Sequence, residues 1–370
     1  MKVWFNSIDN RLFVAICFLM VFGFIMILAA SPAIAERLSV SQFHFIEKQI
    51  VYFFIALLII ISLSAFNEKI ILRFIFYGFI LTILMLIAVR FLGDETKGAK
   101  RWLNIAGFSL QPSEILKPFY SAVVAMILAK NHRTFSLFCY LIAFHLAIMS
   151  LLLMQPDFGM VILISTIFSI QLFIAEINLW WLIGLGLIFI IGSFIVYHLF
   201  SHVAKRIEKF LGSGDSEVGY QVKKSLESYY EGGFFGKGPG EGTVKFQLPD
   251  AHTDFIFPVA AEELGIVFCL FMIFLIGYIV VKGFINILQI KHNRYKIFMG
   301  SAVISYFAIQ SLFNIAVTLN LVPTKGMTLP FISYGGSSLI AQSILFGIFL
   351  NITKDLEWGK SQSTPIHVRC

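Results

Sequence analysis

The chain has 370 residues, 58% of them hydrophobic and 13% charged, with a mean hydropathy of +0.85. A soluble domain carries about 25% charged residues and would expose too much apolar surface at this composition, so a soluble globule is excluded and a polytopic membrane protein is expected. The net charge of +7 fits basic residues flanking membrane spans; there is no separate basic domain and no nucleic-acid-binding motif, so nucleic acid is not an expected partner.

In chain order, apolar runs fall near 12–31, 46–65, 70–92, 114–129, 136–154, 157–175, 178–199, 256–281, 297–320 and 337–353. They predict an all-α fold of about ten transmembrane helices. The first run ends in LAASPAIAE, whose small residues resemble a signal-peptidase site, but its length and the spans that follow argue for a retained helix. Cys17, Cys139, Cys269 and Cys370 have neither disulfide nor metal spacing and read as small apolar residues. The segment 200–255 is the one long loop, and long loops cross membranes largely regardless of charge. With that loop set aside and the N-terminus inside, Lys plus Arg number 13 inside and 6 outside. Residues 1–354 are thus expected as one membrane domain, 355–370 as a short cytoplasmic tail, both termini as cytoplasmic, and 200–255 as extracytoplasmic. Neither a solenoid repeat nor a pair of interrupted helices in matching halves is visible.

An ionisable side chain in hydrocarbon costs about 2.5–3.5 kcal/mol on insertion scales, so the polar residues near these runs carry the information. GAKRWLNIAGFSL places Arg101 and Trp102 at the outer interface, and an arginine can grip a phosphate with two prongs. QPSEILKP (111–118) opens a helix at Pro112, with Glu114 and Lys117 on one face. They form a salt bridge, a charged cleft wall, or both, and Pro118 predicts a kink. Asp157 in MQPDFG starts the sixth span, where the helix dipole favours a carboxylate.

Within the long loop, SHVAKRIEKFLG (201–212) has the apolar and basic sides of an interfacial helix. His198 and His202 have zinc-like spacing without a third ligand and read as interfacial histidines. GGFFGKGPGEG (232–242) holds six glycines and lacks any nucleotide-binding spacing. It reads as backbone that bends sharply or approaches something closely. PDAHTDFIFPVAAEELG (249–265) puts Asp254 just ahead of a helix that starts near Pro258. Asp254 is either a helix cap or a chemical group, and Pro258, Ala261 and Gly265 would leave room beside it. Glu262 and Glu263, deeper along the helix, read as a buried hydrogen-bonded pair, with His252 as a further supporting residue. VPTKGMTLPFISYGGSS (322–338) predicts a re-entrant turn in which Ser337 and Ser338 cap the last span. That helix start, with Lys325, would suit an anion; as structure it is a tight turn.

GAKRWLNIAGFSLQPSEILKP, QPDFG, GYQVKKSL, GGFFGKGPGEG, PDAHTDFIFPVAAEELG and PTKGMTLPFISYGGSS together resemble the SEDS family of bacterial cell-wall synthesis proteins (FtsW, RodA, SpoVE). They occur in the family's order over about residues 97–340, and the last resembles the FtsW and SpoVE form more than that of RodA. Pro258 in place of the usual Ala, Lys224 in place of Gln, and SYYEGG depart from the pattern. The resemblance implies a peptidoglycan glycosyltransferase of the bacterial inner membrane, enriched at midcell. Its substrate is lipid II, a disaccharide–pentapeptide on a polyprenyl pyrophosphate. It also implies a class B penicillin-binding protein transpeptidase and other divisome membrane proteins as partners, and a divalent cation, Mg or Mn, for which the sequence shows no protein cage. The family's catalytic aspartate falls on Asp254, and its other important polar positions fall on Arg101, Glu114, Lys117 and Asp157. The residues themselves agree: Asp254 can act as base, while Arg101, Lys117 or Lys325 stabilises a departing pyrophosphate. Three alternatives stand beside this reading: a flippase for the same lipid, a scaffold active only through its partner, and an elongation polymerase of the RodA kind.

Overall fold

A computed structural model describes residues 2–41, 43–96, 99–105, 107–130, 135–178, 217–323 and 326–362, with scattered positions between 180 and 198. Lipid offers no partner to a backbone N–H or C=O, so apolar runs satisfy these groups internally as helices. A short α1 (Lys2–Ser7) precedes α2 (Asn10–Arg37), α3 (His44–Ala65), α4 (Glu68–Leu92), α5 (Pro112–Ala129), α6 (Phe135–Leu153) and α7 (Phe158–Ile174). After the long connection come α8 (Glu217–Gly232), α9 (Ile256–Leu288), α10 (Arg294–Thr318) and α11 (Gly336–Gln362). Among the described residues, α2 to α6 and α9 to α11 make eight helices long and apolar enough to cross a membrane, and α7 is a shorter apolar helix. The run at 178–199 falls largely outside the described residues, as does 201–212 with His202.

Three helices form the centre. The spanning window of α11 is 94% buried, and those of α5 and α10 are 72% and 67% buried, against 22% for α4 and 28% for α3. The central three are also the least apolar of the spans. Neighbouring helices rather than lipid cover them, so they can carry the polar groups that lipid-facing helices exclude.

The structure adds detail to the sequence reading in three places. Residues 94–110, expected as loop, form a three-stranded antiparallel meander of β1 (Asp94–Thr96), β2 (Ala99–Ile105) and β3 (Phe108–Leu110). Its tight second turn uses Gly107 at φ +82°, a conformation open to glycine. The segment read as loop 200–255 contains α8 and a 3₁₀ turn at Val244–Gln247. The last helix continues to Gln362, past the expected start of the tail. Pro118 lies inside α5, which continues through it to Ala129.

The bundle has two polar ends. At one, Asp9 caps α2 by accepting the N–H groups of Arg11 and Leu12, both at 3.1 Å. Its other oxygen takes Lys282 and Asn286 of α9, each at 2.8 Å. Burial would raise the Asp9 carboxyl, but the bonds from Lys282, Asn286 and the Leu12 N–H outweigh it and lower its pKa. At the other end lie the meander, the glycine-rich strip, Asp254 and residues 326–338.

Helix α9 breaks at Gly265, whose φ of 82° and ψ of 173° are not helical. The glycine-rich strip closes the break. Lys237 and Gly238 donate their N–H groups to the carbonyls of Glu262 and Glu263 at 2.9 Å. Ile266 and Val267 donate to the carbonyls of Gly233 and Phe234 at 3.0 and 3.3 Å. A Cβ on Gly236 would stand 2.2 Å from the Glu263 carbonyl oxygen, and one on Gly265 2.3 Å from that of Phe234. The strip is therefore rich in glycine because two backbones meet there. Ala261 and Gly265, expected to leave room beside Asp254, instead receive this strip; a Cβ on Gly232 would lie 2.0 Å from the Ala261 carbonyl oxygen. Replacing Gly265 by Ala is expected to cost about 1–3 kcal/mol through overpacking and backbone strain. Gly277→Ala, in open space on the same helix, should be neutral or slightly stabilising. Thermal unfolding of the two detergent-solubilised variants compares them directly.

Candidate functional site

Asp254 sits in a turn ahead of α9. Thr253 and Phe255 both donate their N–H groups to the Asp250 carbonyl, at 3.1 and 3.2 Å. The N-cap of α9 is Phe255, and no side chain caps the helix. Asp254 is therefore not the N-cap residue of α9. Its half-buried carboxylate faces Gly326: a Cβ there would be 3.1 Å from Oδ2.

The backbone around Asp254 is held on several sides. The Ser333 hydroxyl donates to the Thr253 carbonyl at 2.6 Å. Asn314 donates to the carbonyls of Asp254 and Met327 at 3.0 and 2.6 Å. Tyr334 donates its N–H to the His252 carbonyl at 2.9 Å. The His252 ring lies between Phe45 and Tyr334, with centroids 4.9 and 5.1 Å away. His252 thus supports the turn by packing against α3 and the re-entrant segment.

Residues 326–338 form the facing wall. Gln310 donates to the Thr328 carbonyl at 2.9 Å, and Ser333 accepts the Leu329 N–H at 2.8 Å. Ser338 bonds the Thr328 hydroxyl at 2.7 Å. Ser337 accepts the Gln111 N–H at 2.8 Å, tying the start of α11 to the start of α5. Both serines are engaged by protein. Lys325 lies outside the described residues, so its suggested anion partnership with this helix start remains a sequence-based expectation.

Glu114 and Lys117 pair as their spacing predicts, with Nζ 2.6 Å from Oε2. Lys117 also donates to Gln310 at 2.8 Å and is fully buried. Gln342 donates to the same Gln310 oxygen at 3.1 Å, so the pair is built into the contact between all three central helices. Arg101 lies on β2, half-buried, and donates from Nε to the Gln155 carbonyl at 3.1 Å and from Nη2 to that of Pro156. Its two-pronged grip is on the turn before α7. Asp157 follows in that turn. It accepts the Met160 N–H at 3.4 Å as the cap of α7, and takes Ser113 and Gln111 on its other oxygen at 2.9 and 3.2 Å.

The deeper acids belong to the glycine-rich strip and the turn after it. Glu262 accepts the N–H groups of Thr243 and Val244 at 2.7 and 3.0 Å, and Lys237 at 3.3 Å. Glu263 pairs with buried Lys245 at 2.6 Å and accepts the Gly240 N–H at 2.9 Å. Lys245 also donates to the carbonyls of Ala29 and Gly240 at 3.0 and 2.8 Å, which fastens the loop to α2. The sequence reading passed over Gln310, Asn314 and Lys245. For the two amides a signal was present: polar groups four residues apart within an apolar span.

The family model for the cell cycle proteins FtsW, RodA and SpoVE matches residues 10–357. The chain belongs to this family. A relative from Caulobacter vibrioides, called a probable peptidoglycan glycosyltransferase FtsW, is 37% identical over 95% of this chain and 90% of its own length. One of the same description from Trichlorobacter lovleyi is 33% identical over 91% of this chain and 90% of its own. The fold is that of the rod shape determining protein RodA of Thermus thermophilus, with a TM-score of 0.68 at 23% identity over 94% of this chain and 97% of that one. A chain from a peptidoglycan synthase complex solved to explain the coordination of polymerization and crosslinking gives a TM-score of 0.77, at 23% identity over 94% of this chain and 98% of its own. The chain is accordingly a multi-pass membrane protein, and the family match runs through every described spanning helix.

Removing one member of the buried pair leaves the other charge uncompensated. Lys117→Met is therefore expected to destabilise by about 3–5 kcal/mol, read as a drop in melting temperature. The double variant Glu114→Gln with Lys117→Met should recover part of that loss.

Proposed function

We propose that the chain is a peptidoglycan glycosyltransferase that polymerises lipid II in the bacterial cytoplasmic membrane, with Asp254 as general base. The activity is that named for its relatives in the family. The observation that carries the assignment of Asp254 is its placement: it precedes α9 without being its N-cap residue, is only partly buried, and stands beside Gly326, which has no side chain.

The chemistry asks little else of the protein. The 4-hydroxyl oxygen of the acceptor sugar attacks the anomeric carbon of the donor, the bond from that carbon to the pyrophosphate breaks, and Asp254 takes the hydroxyl proton. The pyrophosphate leaves with the bonding electrons on its polyprenyl carrier. A single base and no nucleophile favour one displacement with inversion. Arg101, whose described bonds go to the Gln155 and Pro156 carbonyls, and Lys325 are the candidate cations for the pyrophosphate from the sequence and the family resemblance. Lys117 is engaged within the bundle and supports the fold. Among the described residues no three His, Cys, Asp or Glu side chains gather at one point. A magnesium-type ion commonly takes one or two carboxylates together with substrate phosphates, so a cation could arrive on the pyrophosphate of the substrate. When bound, such an ion would neutralise the leaving group.

The Asp254 end is taken as extracytoplasmic, with both termini in the cytoplasm, following the Lys and Arg distribution. A class B penicillin-binding protein and other divisome membrane proteins are the proposed partners; the likeness to a chain from a peptidoglycan synthase complex supports the first. A flippase would carry a charged headgroup past intramembrane charges, for which Glu114, Lys117 and Glu262 are the candidates. The first two are bonded to each other and Glu262 to the loop, which leaves that alternative without its motive.

Purified Asp254→Asn, reconstituted with lipid II, a divalent ion and its partner, should melt within about 2 °C of wild type because the substitution keeps the side chain's size and Asp254 is not the N-cap residue, yet yield no glycan strands on a gel. Strands at near wild-type rate would exclude Asp254 as base, and lipid movement without polymer by the wild type would revive the flippase. In cells, a fluorescent fusion should gather at midcell. A lateral pattern would instead place the chain in elongation.

A further inference from the structure

Helix α10 carries Gln310 and Asn314 one turn apart and therefore on one face. Both are buried. The Asn314 amide nitrogen donates to two chain segments distant in sequence, reaching the Asp254 carbonyl at 3.0 Å and the Met327 carbonyl at 2.6 Å. Carbonyls only accept, so the NH2 of Asn314 has to face them, and the orientation of the amide is fixed by its neighbours. Met327 directly follows Gly326, the residue against the Asp254 carboxylate. One side chain thus joins the two segments that meet at the proposed base. Gln310 holds the next carbonyl, that of Thr328, at 2.9 Å, and is itself held by Lys117 and Gln342. The clamp is anchored in the buried ion pair.

We propose that Asn314 is a positioning residue for glycan-strand synthesis: it sets Asp254 and the glycine wall opposite at a fixed separation, so that the carboxylate meets the acceptor hydroxyl. The proposal rests on the general-base reading of Asp254. It requires a side chain with two N–H donors at this depth. A carboxylate of the same shape would face two carbonyls with acceptors only, and an isosteric leucine would offer neither donor nor acceptor.

The test compares Asn314→Leu, Asn314→Asp, Asn314→Ser and Asn314→Gln in the full-length protein with its transpeptidase partner and lipid II. Ser311→Ala serves as control, since Ser311 lies on the same helix and its buried hydroxyl has no bonded partner among the described residues. Misplacing a reacting group by about 1 Å can cost 100-fold. We therefore expect kcat per lipid II-binding site to fall about 10- to 100-fold in the Leu and Asp variants. The KM should stay within about threefold, and the acid limb of the rate–pH profile should move. Gln, which keeps both donors, should lose least, Ser should fall between, and Ser311→Ala should match wild type. A merely structural role would lower the number of binding sites without changing turnover per site or the pH profile, and that result would overturn the proposal. If the Leu and Asp variants do not fold, Gln and Ser decide the matter: a graded loss of kcat supports positioning, and wild-type kcat and pH profile in both refute it. Asp254→Asn is run in parallel. Activity in that variant would defeat the general-base reading itself, whereas its inactivity beside fully active Asn314 variants would defeat only the positioning role.

Discussion

Irregular backbone near a bilayer survives only where protein replaces the missing water. Residues 249–255 and 326–335 are both irregular, and both lie against the end of a bundle whose regular helices need no outside partner. Side-chain amides and hydroxyls supply the replacement: Asn314 and Gln310 from α10, and Ser333 from the re-entrant segment itself. This explains why a membrane-spanning helix carries amides on one stripe. It also explains why the three least apolar spans sit innermost. The proposed chemistry depends on this arrangement, because Asp254 lies on backbone that has no helical ladder of its own.

The carboxylates near the start of α9 show how neighbours in sequence can part company in space. Glu262 and Glu263 each accept backbone N–H groups from the loop and each has a lysine, so their charges are compensated within protein. Asp254 lies before the helix and faces Gly326. The polar set around Arg101 and Asp157 makes a related point. Arg101 has the chemistry to hold phosphate, yet the described bonds of this set join β2 and the starts of α5 and α7. Much of the polarity at this end of the bundle is scaffold.

The spanning helices were legible in the sequence because hydrocarbon imposes a composition that survives any detail of packing. The Glu114–Lys117 pair was legible for a local reason, since three residues along a helix bring side chains together. The short strands of the meander were not: β1 and β3 have three residues each, too few for an alternating pattern to emerge. The partner of the glycine strip was hidden because it lies across the chain, at a helix break that continuous hydrophobicity conceals. Gln310 and Asn314 carry no charge to mark them, although an amide buried in an apolar helix also demands a partner. Lys245 could be found only in three dimensions, since it reaches both Glu263 and a carbonyl of α2.

Among the described spans the most enclosed, α11, follows all the others in the chain. Chains emerge from the ribosome N-terminal end first, so α3 and α5 enter the membrane long before the helix that will lie between them. Until residues 336–354 arrive, the slot they fill has no protein in it, and Gln310 lacks the amide of Gln342. Insertion of α11 therefore completes the middle of the described bundle rather than its edge.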